Sequence, residues 1–269
     1  MIFHDGENPN ELMRQAVSFL QKDQPKKAID VFNQILKADP AHRDALFNKG
    51  TALNQIRKYH DAITCFEKIL EKRPNDEIVL NNMAISLAEL GDVDGAMANY
   101  DKAIKCSPNY APSHYNKGVL LDRLFRHEEA LESLENAIKK DATKPNALFY
   151  KGIILAKLKR HDEALNYFSR VHQNHPDHME AYFHKGIELA ETGRHAEAVD
   201  IFEKILSSSD NMNVTYANAR SKAAIGQIEE AVVLLKKAMK KDSKTVRNWA
   251  KAEKIFQEIN DERIHKVIR

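Results

Sequence analysis

Three asparagines, Asn48, Asn82 and Asn116, stand 34 residues apart. A carboxamide offers a donor and an acceptor together, so a row of them can pair with the backbone of an extended peptide. The same interval then reaches Tyr150 and His184, which continue the row with other polar groups. Beside it run pairs four residues apart: Phe47 with Thr51, Asn81 with Ile85, Tyr115 with Val119, Phe149 with Ile153, and Phe183 with Ile187. Residues four apart share one face of a helix. From Tyr115 to Ile187 the pairs are expected to form a nearly continuous apolar strip, suited to an apolar peptide or helix. The competing expectation is that they only pack against neighbouring segments.

Other residue sets suggest different chemistry. His127, His161 and His195 share the 34-residue interval. Packed helices lie about 8–10 Å apart, whereas zinc ligands converge at about 2 Å, so this series reads as a turn substitution. His172, His175 and His178, with His184 after them, are crowded enough to raise a metal site. However, Pro176 interrupts them, and no cysteine or carboxylate stands at a recognised ligand spacing. No metal or cofactor is therefore expected. Cys65 and Cys106 are the only cysteines and sit in unrelated contexts, as inert or core thiols. There is no G-x-S-x-G, phosphate-binding loop, dinucleotide fingerprint or H-E-x-x-H, so no enzyme activity is expected.

The elements that would position these residues follow from the period. Ala28, Ala62, Ala96, Ala130, Ala164 and Ala198 are 34 apart, and Ala231 follows after 33. Phe32, Phe66, Tyr100, Leu134, Phe168, Phe202 and Leu235 come four residues later in each case. Pro40, Pro74, Pro108 and Pro176 keep the same register, with Ala142 in the missing place. Each unit carries two apolar stripes of helical spacing separated by a turn, at which Gly91, Gly193 and Gly226 stand. Proline closes the unit because it cannot continue the second helix. Gly50, Gly118, Gly152 and Gly186 lie inside the first helix, where glycine costs about 1 kcal/mol relative to alanine. The equivalent residues are Ala16, Ala84 and Ala219. All seven are small, which predicts a close crossing of the two helices.

A 34-residue helix-turn-helix with small residues at positions 8 and 20, an aromatic near 24 and proline at 32 resembles the tetratricopeptide repeat. Seven units are placed, at 9–42, 43–76, 77–110, 111–144, 145–178, 179–211 and 212–245. A capping helix over 246–259, with Trp249, Ala252, Phe256 and Ile259 on one face, is expected to cover the last unit. Residues 263–269 read as a short tail. The resemblance implies an all-α, right-handed superhelical solenoid forming one domain over residues 1–269. It also implies that positions 2, 5, 6, 9 and 13 of each first helix face a concave groove. The peptide-contacting set is then Phe47, Asn48, Asn82, Tyr115, Asn116, Val119, Phe149, Tyr150, Ile153, Phe183, His184 and Ile187. Family members that grip acidic chaperone tails carry lysine at position 5 and asparagine at position 9, a pair no unit here has.

The 269 residues are 43% hydrophobic, with nine glycines and eight prolines, as suits a folded helical protein. No apolar run is long enough for a bilayer and no basic-then-apolar leader follows Met1, so a cytoplasmic protein without a membrane partner is expected. Net charge is +2, yet from Met212 onward there are 13 Lys/Arg against 7 Asp/Glu. Lys236, Lys237, Lys240, Lys241, Lys244, Arg247, Lys251 and Lys254 make the end basic. Two partner classes result: a protein or peptide in the groove, expected first, and a nucleic acid at the basic end as the alternative. A metal held by the histidine cluster is the third reading.

Overall fold

A computed structural model describes residues 8–142 and 144–269, and among them every regular element is a helix, seventeen in all. The chain divides into two compact units, one within residues 1–143 and one within 144–269. The first holds α1 (Pro9–Gln21), α2 (Pro25–Ala38), α3 (Arg43–Gln55), α4 (Tyr59–Leu70), α5 (Glu77–Leu90), α6 (Val93–Cys106), α7 (Ala111–Arg123) and α8 (His127–Lys140). The second holds α9 (Pro145–Lys157), α10 (His161–Asn174), α11 (Met179–Glu191), α12 (His195–Leu206), α13 (Met212–Ala224) and α14 (Ile228–Met239). It ends with α15 (Ser243–Ala252), α16 (Lys254–Glu258) and α17 (Glu262–Ile268).

Helices pack in consecutive pairs within each unit. The alanine series is wholly buried on every second helix, and the residues four positions on are at most 2% exposed. Burying a phenylalanine stabilises by about 1.5–3 kcal/mol, so Phe32, Phe66, Phe168 and Phe202 are the principal fastenings. They also explain the helical glycines. A Cβ at Gly50 would lie 2.6 Å from Phe66 Cε1, and one at Gly186 would lie 2.6 Å from Phe202 Cε1. The ring of the second helix occupies the space a side chain would need.

Turns between paired helices share one conformation. Asp23, Arg57, Phe125 and Lys159 have φ between 53° and 62°, and Gly91, Gly193 and Gly226 between 79° and 86°. This left-handed residue ends the first helix. The repeated prolines all lie in loops after second helices.

The C-terminal end departs from expectation. The continuous helix expected over 246–259 breaks at Glu253, which is extended with φ −79° and ψ 121°. The expected tail is helical: α17 buries Ile264 and Ile268. One straight helix covers a single neighbour, whereas the last pair leaves apolar surface on both α13 and α14. The break lets Phe256 join Ala219 and Ala223 of α13, with Leu235 of α14, in one cluster that α17 completes. Trp249, expected on the covering face of that helix, is half-buried with its ring 5.2 Å from that of Tyr216.

Candidate functional site

The first unit presents the asparagine row from α3, α5 and α7. All three side chains are half-buried. Asn48 Nδ2 donates to the Asp44 carbonyl at 2.8 Å, and Asn82 Nδ2 to the Ile78 carbonyl at 2.8 Å. Such bonds to the preceding turn use one N–H of each amide; the second N–H and the oxygen retain pairing capacity. Asn116 Nδ2 instead donates to Asn81 Oδ1 at 3.0 Å, which also accepts from Ser113 Oγ at 3.4 Å. Asn81 is only 4% exposed and ties α5 to α7. Phe47 is half-buried, tilted against Phe66 with centroids 6.3 Å apart. Arg43 Nη2 lies 2.8 Å from Asp76, linking α3 to the start of α5. Tyr115 and Val119 are half-buried on α7, and burial raises the Tyr115 hydroxyl above its ordinary range.

In the second unit Phe149, Tyr150 and Ile153 on α9, and Phe183, His184 and Ile187 on α11, are all half-buried. His184 stacks on Phe168 at 5.3 Å and 26°, and meets Phe149 and Phe183 at 5.6 Å each. Burial among these rings lowers its pKa below 6.5, keeping it neutral. The side chain expected to continue the polar row is thus part of an aromatic cluster.

The other clustered histidines have separate tasks. His172 stacks on Tyr182 at 3.9 Å, and His178 Nδ1 caps α11 by accepting from the Ala181 N–H at 3.1 Å. Among the described residues no group of three His, Cys, Asp or Glu side chains could hold a metal ion. The turn histidines reveal a pairing the sequence did not suggest. His127 Nδ1 lies 2.9 Å from the buried Asp122, and His161 Nδ1 lies 2.7 Å from the buried Glu188. Burial raises the Glu188 pKa, and the His161 hydrogen bond counters it.

Two openings extend from the α11 face. One, of about 680 Å³, is lined by Phe183, His184 and Asn213 among others. The second, of about 570 Å³, runs from Phe183 and Ile187 to Tyr216, Arg220, Trp249 and Glu253. Arg220 donates to Glu191 at 2.7 Å and to Glu253 at 3.2 Å. Tyr216 and Arg220 occupy positions 5 and 9 of the seventh unit, so the same register that selected Phe183 and Ile187 could have found them. From α15 come Trp249 and Ala252, and Glu253, where that helix ends, adds its carboxylate.

Sequence-family comparison decides what these repeats are. A tetratricopeptide-repeat profile matches residues 115–173 and 163–213, and one for the N-terminal tetratricopeptide repeats of psidin matches residues 13–117. The chain is a tetratricopeptide repeat protein. No curated protein sequence matches it. Among solved structures, a tetratricopeptide repeat protein from Parabacteroides merdae ATCC 43184 is 20% identical, covers 98% of each chain and superposes with a TM-score of 0.60. YrrB, described as a tetratricopeptide protein with an unusual peptide-binding site, is 25% identical over 69% of this chain and 97% of its own, with a TM-score of 0.61. A thermophilic tetratricopeptide protein of Thermus thermophilus is 18% identical over 68% of this chain and 100% of its own, with a TM-score of 0.59. The tetratricopeptide fold is a scaffold for protein interaction. No helix among the described residues is long and apolar enough to cross a membrane. At the basic end of this tetratricopeptide protein, Lys237 and Lys241 converge on Asp210 at 3.4 and 2.7 Å, and Lys254 pairs with Glu258 at 3.3 Å.

Proposed function

We propose that this tetratricopeptide protein is a non-catalytic scaffold that holds an extended peptide or a partner helix along the face of its first helices. In the first unit Asn48, Asn82 and Asn116 would pair with the peptide backbone, with Phe47, Tyr115 and Val119 beside them. In the second, Phe149, Ile153, Phe183 and Ile187 would take apolar side chains, with Tyr150 and His184 beside them. The observation that carries this reading is the second-unit face: Phe183 and Ile187 are half-buried and open onto a cavity of about 570 Å³, so apolar surface stays available beside fixed aromatic rings. The likeness to YrrB, which has a peptide-binding site, supports it.

The test compares wild type with an Asn82→Ala/Phe149→Ala variant in affinity capture from cell lysate, with and without nuclease. Proteins retained by wild type, lost from a folded variant and indifferent to nuclease are the expected result. Partners that ignore the variant and leave with nuclease would refute the reading and assign binding to the basic end.

A further inference from the structure

We propose that the cavity between α11, α13 and α15 is a subsite for a basic side chain, lysine or arginine, of the bound peptide; this rests on the peptide-binding reading of the first-helix face. Two features support it. The walls are aromatic: the Tyr216 and Trp249 rings lie 5.2 Å apart at 57°, with Phe183 and Ile187 completing the entrance. Such walls suit the methylene stem of lysine or arginine, and a cation is attracted to a ring face.

The charge is complementary. Among the described residues lining the cavity, Arg220 is the one cation, although the segment from Met212 has 13 Lys/Arg against 7 Asp/Glu. Its two terminal nitrogens are already engaged, Nη2 by Glu191 and Nη1 by Glu253. One guanidinium between two carboxylates leaves a surplus negative charge, and each carboxylate has lone pairs beyond those Arg220 uses. Of the two carboxylates only Glu253 lines the cavity, and the cluster of Arg220, Glu191 and Glu253 has a net formal charge of −1, which disfavours an acidic peptide and favours a basic one.

The experiment pans a random heptapeptide phage library on the full chain. Enriched peptides are expected to share a lysine or arginine at one position next to apolar residues. A synthetic copy is then titrated by fluorescence of Trp249, the only tryptophan. Replacing its basic residue with norleucine should weaken binding by about ten-fold or more, and added salt should weaken the basic peptide alone. Glu253→Gln should reduce affinity for the basic peptide while sparing the norleucine one. Equal binding of the two peptides, or enrichment of acidic or purely apolar sequences, overturns the subsite and leaves the peptide-binding reading standing. No enrichment at all on a folded chain overturns both.

Discussion

Gly152→Ala should destabilise the second unit, against the direction that helix propensity predicts. A Cβ at residue 152 would lie 2.7, 3.0 and 3.1 Å from three ring carbons of Phe168. Ordinary carbon contacts are about 3.5–4.0 Å, so the ring must retreat by about 0.8 Å or more. It has little room: Phe168 is 0% exposed, stacked on His184 at 5.3 Å and flanked by Phe149 at 5.7 Å. Overpacking a tight core costs about 1–3 kcal/mol, and with three atoms blocked the upper part of that range applies. Alanine's better helix propensity returns about 1 kcal/mol. The net loss is about 1–2 kcal/mol, a fall in Tm of about 2–8 °C for a chain of this size. Thermal melts followed by circular dichroism give the sign directly. A Phe168→Ala background supplies the control, since without the ring Gly152→Ala should stabilise, a coupling of about 2 kcal/mol. A higher Tm for the single variant, or the same effect in both backgrounds, would refute the close-packing account of the helical glycines.

Two other outcomes follow from the same structure. Phe125 is 83% exposed and held at φ 59°, where three other units have glycine. A left-handed residue costs about 1–2 kcal/mol and glycine's extra unfolded freedom takes back about 0.4–1 kcal/mol, so Phe125→Gly should raise stability by about 0.5–1 kcal/mol; a lower Tm would refute this and give weight to its edge contact with His127. Burial holds His172, His184 and His195 below the ordinary histidine value of 6.5, helped by Lys185 and Lys204 at His172 and by Arg220 at His195. Folded protein then binds fewer protons than unfolded, so this contribution is full above pH 6.5 and is lost as pH falls below it. Glu188, raised above 4.5, has the opposite slope at lower pH. NMR titration of the His184 ring checks the sign, and a midpoint at or above 6.5 would contradict its burial among the phenylalanines.

The repeat and its helices were legible because three independent residue series share one interval, and burial of each series is a local demand met in every pair. Gly50 and Gly186 could be read as packing residues from their size and place. The identity of what fills their space, the edge of Phe66 or Phe202, needed the tertiary structure, since a tyrosine at residue 100 in the same register stands opposite Ala84. The left-handed turn was visible at Gly91, Gly193 and Gly226 and hidden at Phe125, where the residue type argues against the conformation it adopts.

The candidate face divides in the same way. Periodicity placed Asn48, Asn82, Phe149 and Ile187 on the first helices, because side-chain direction on a helix follows from spacing alone. It did not determine how each side chain is used. Asn116 bonds to Asn81, and His184 stacks on Phe168, because both meet residues of a neighbouring helix rather than of their own. The pairing of His161 with Glu188 joins residues 27 apart in the chain. The opening shared by Phe183, Trp249 and Glu253, residues of separate helices and a helix end, belongs to the same class. By itself the sequence determined which residues share a helix face, since that depends on local backbone geometry. Only the tertiary structure decided which faces meet and which stay open, because that depends on how volumes from separate helices fill common space.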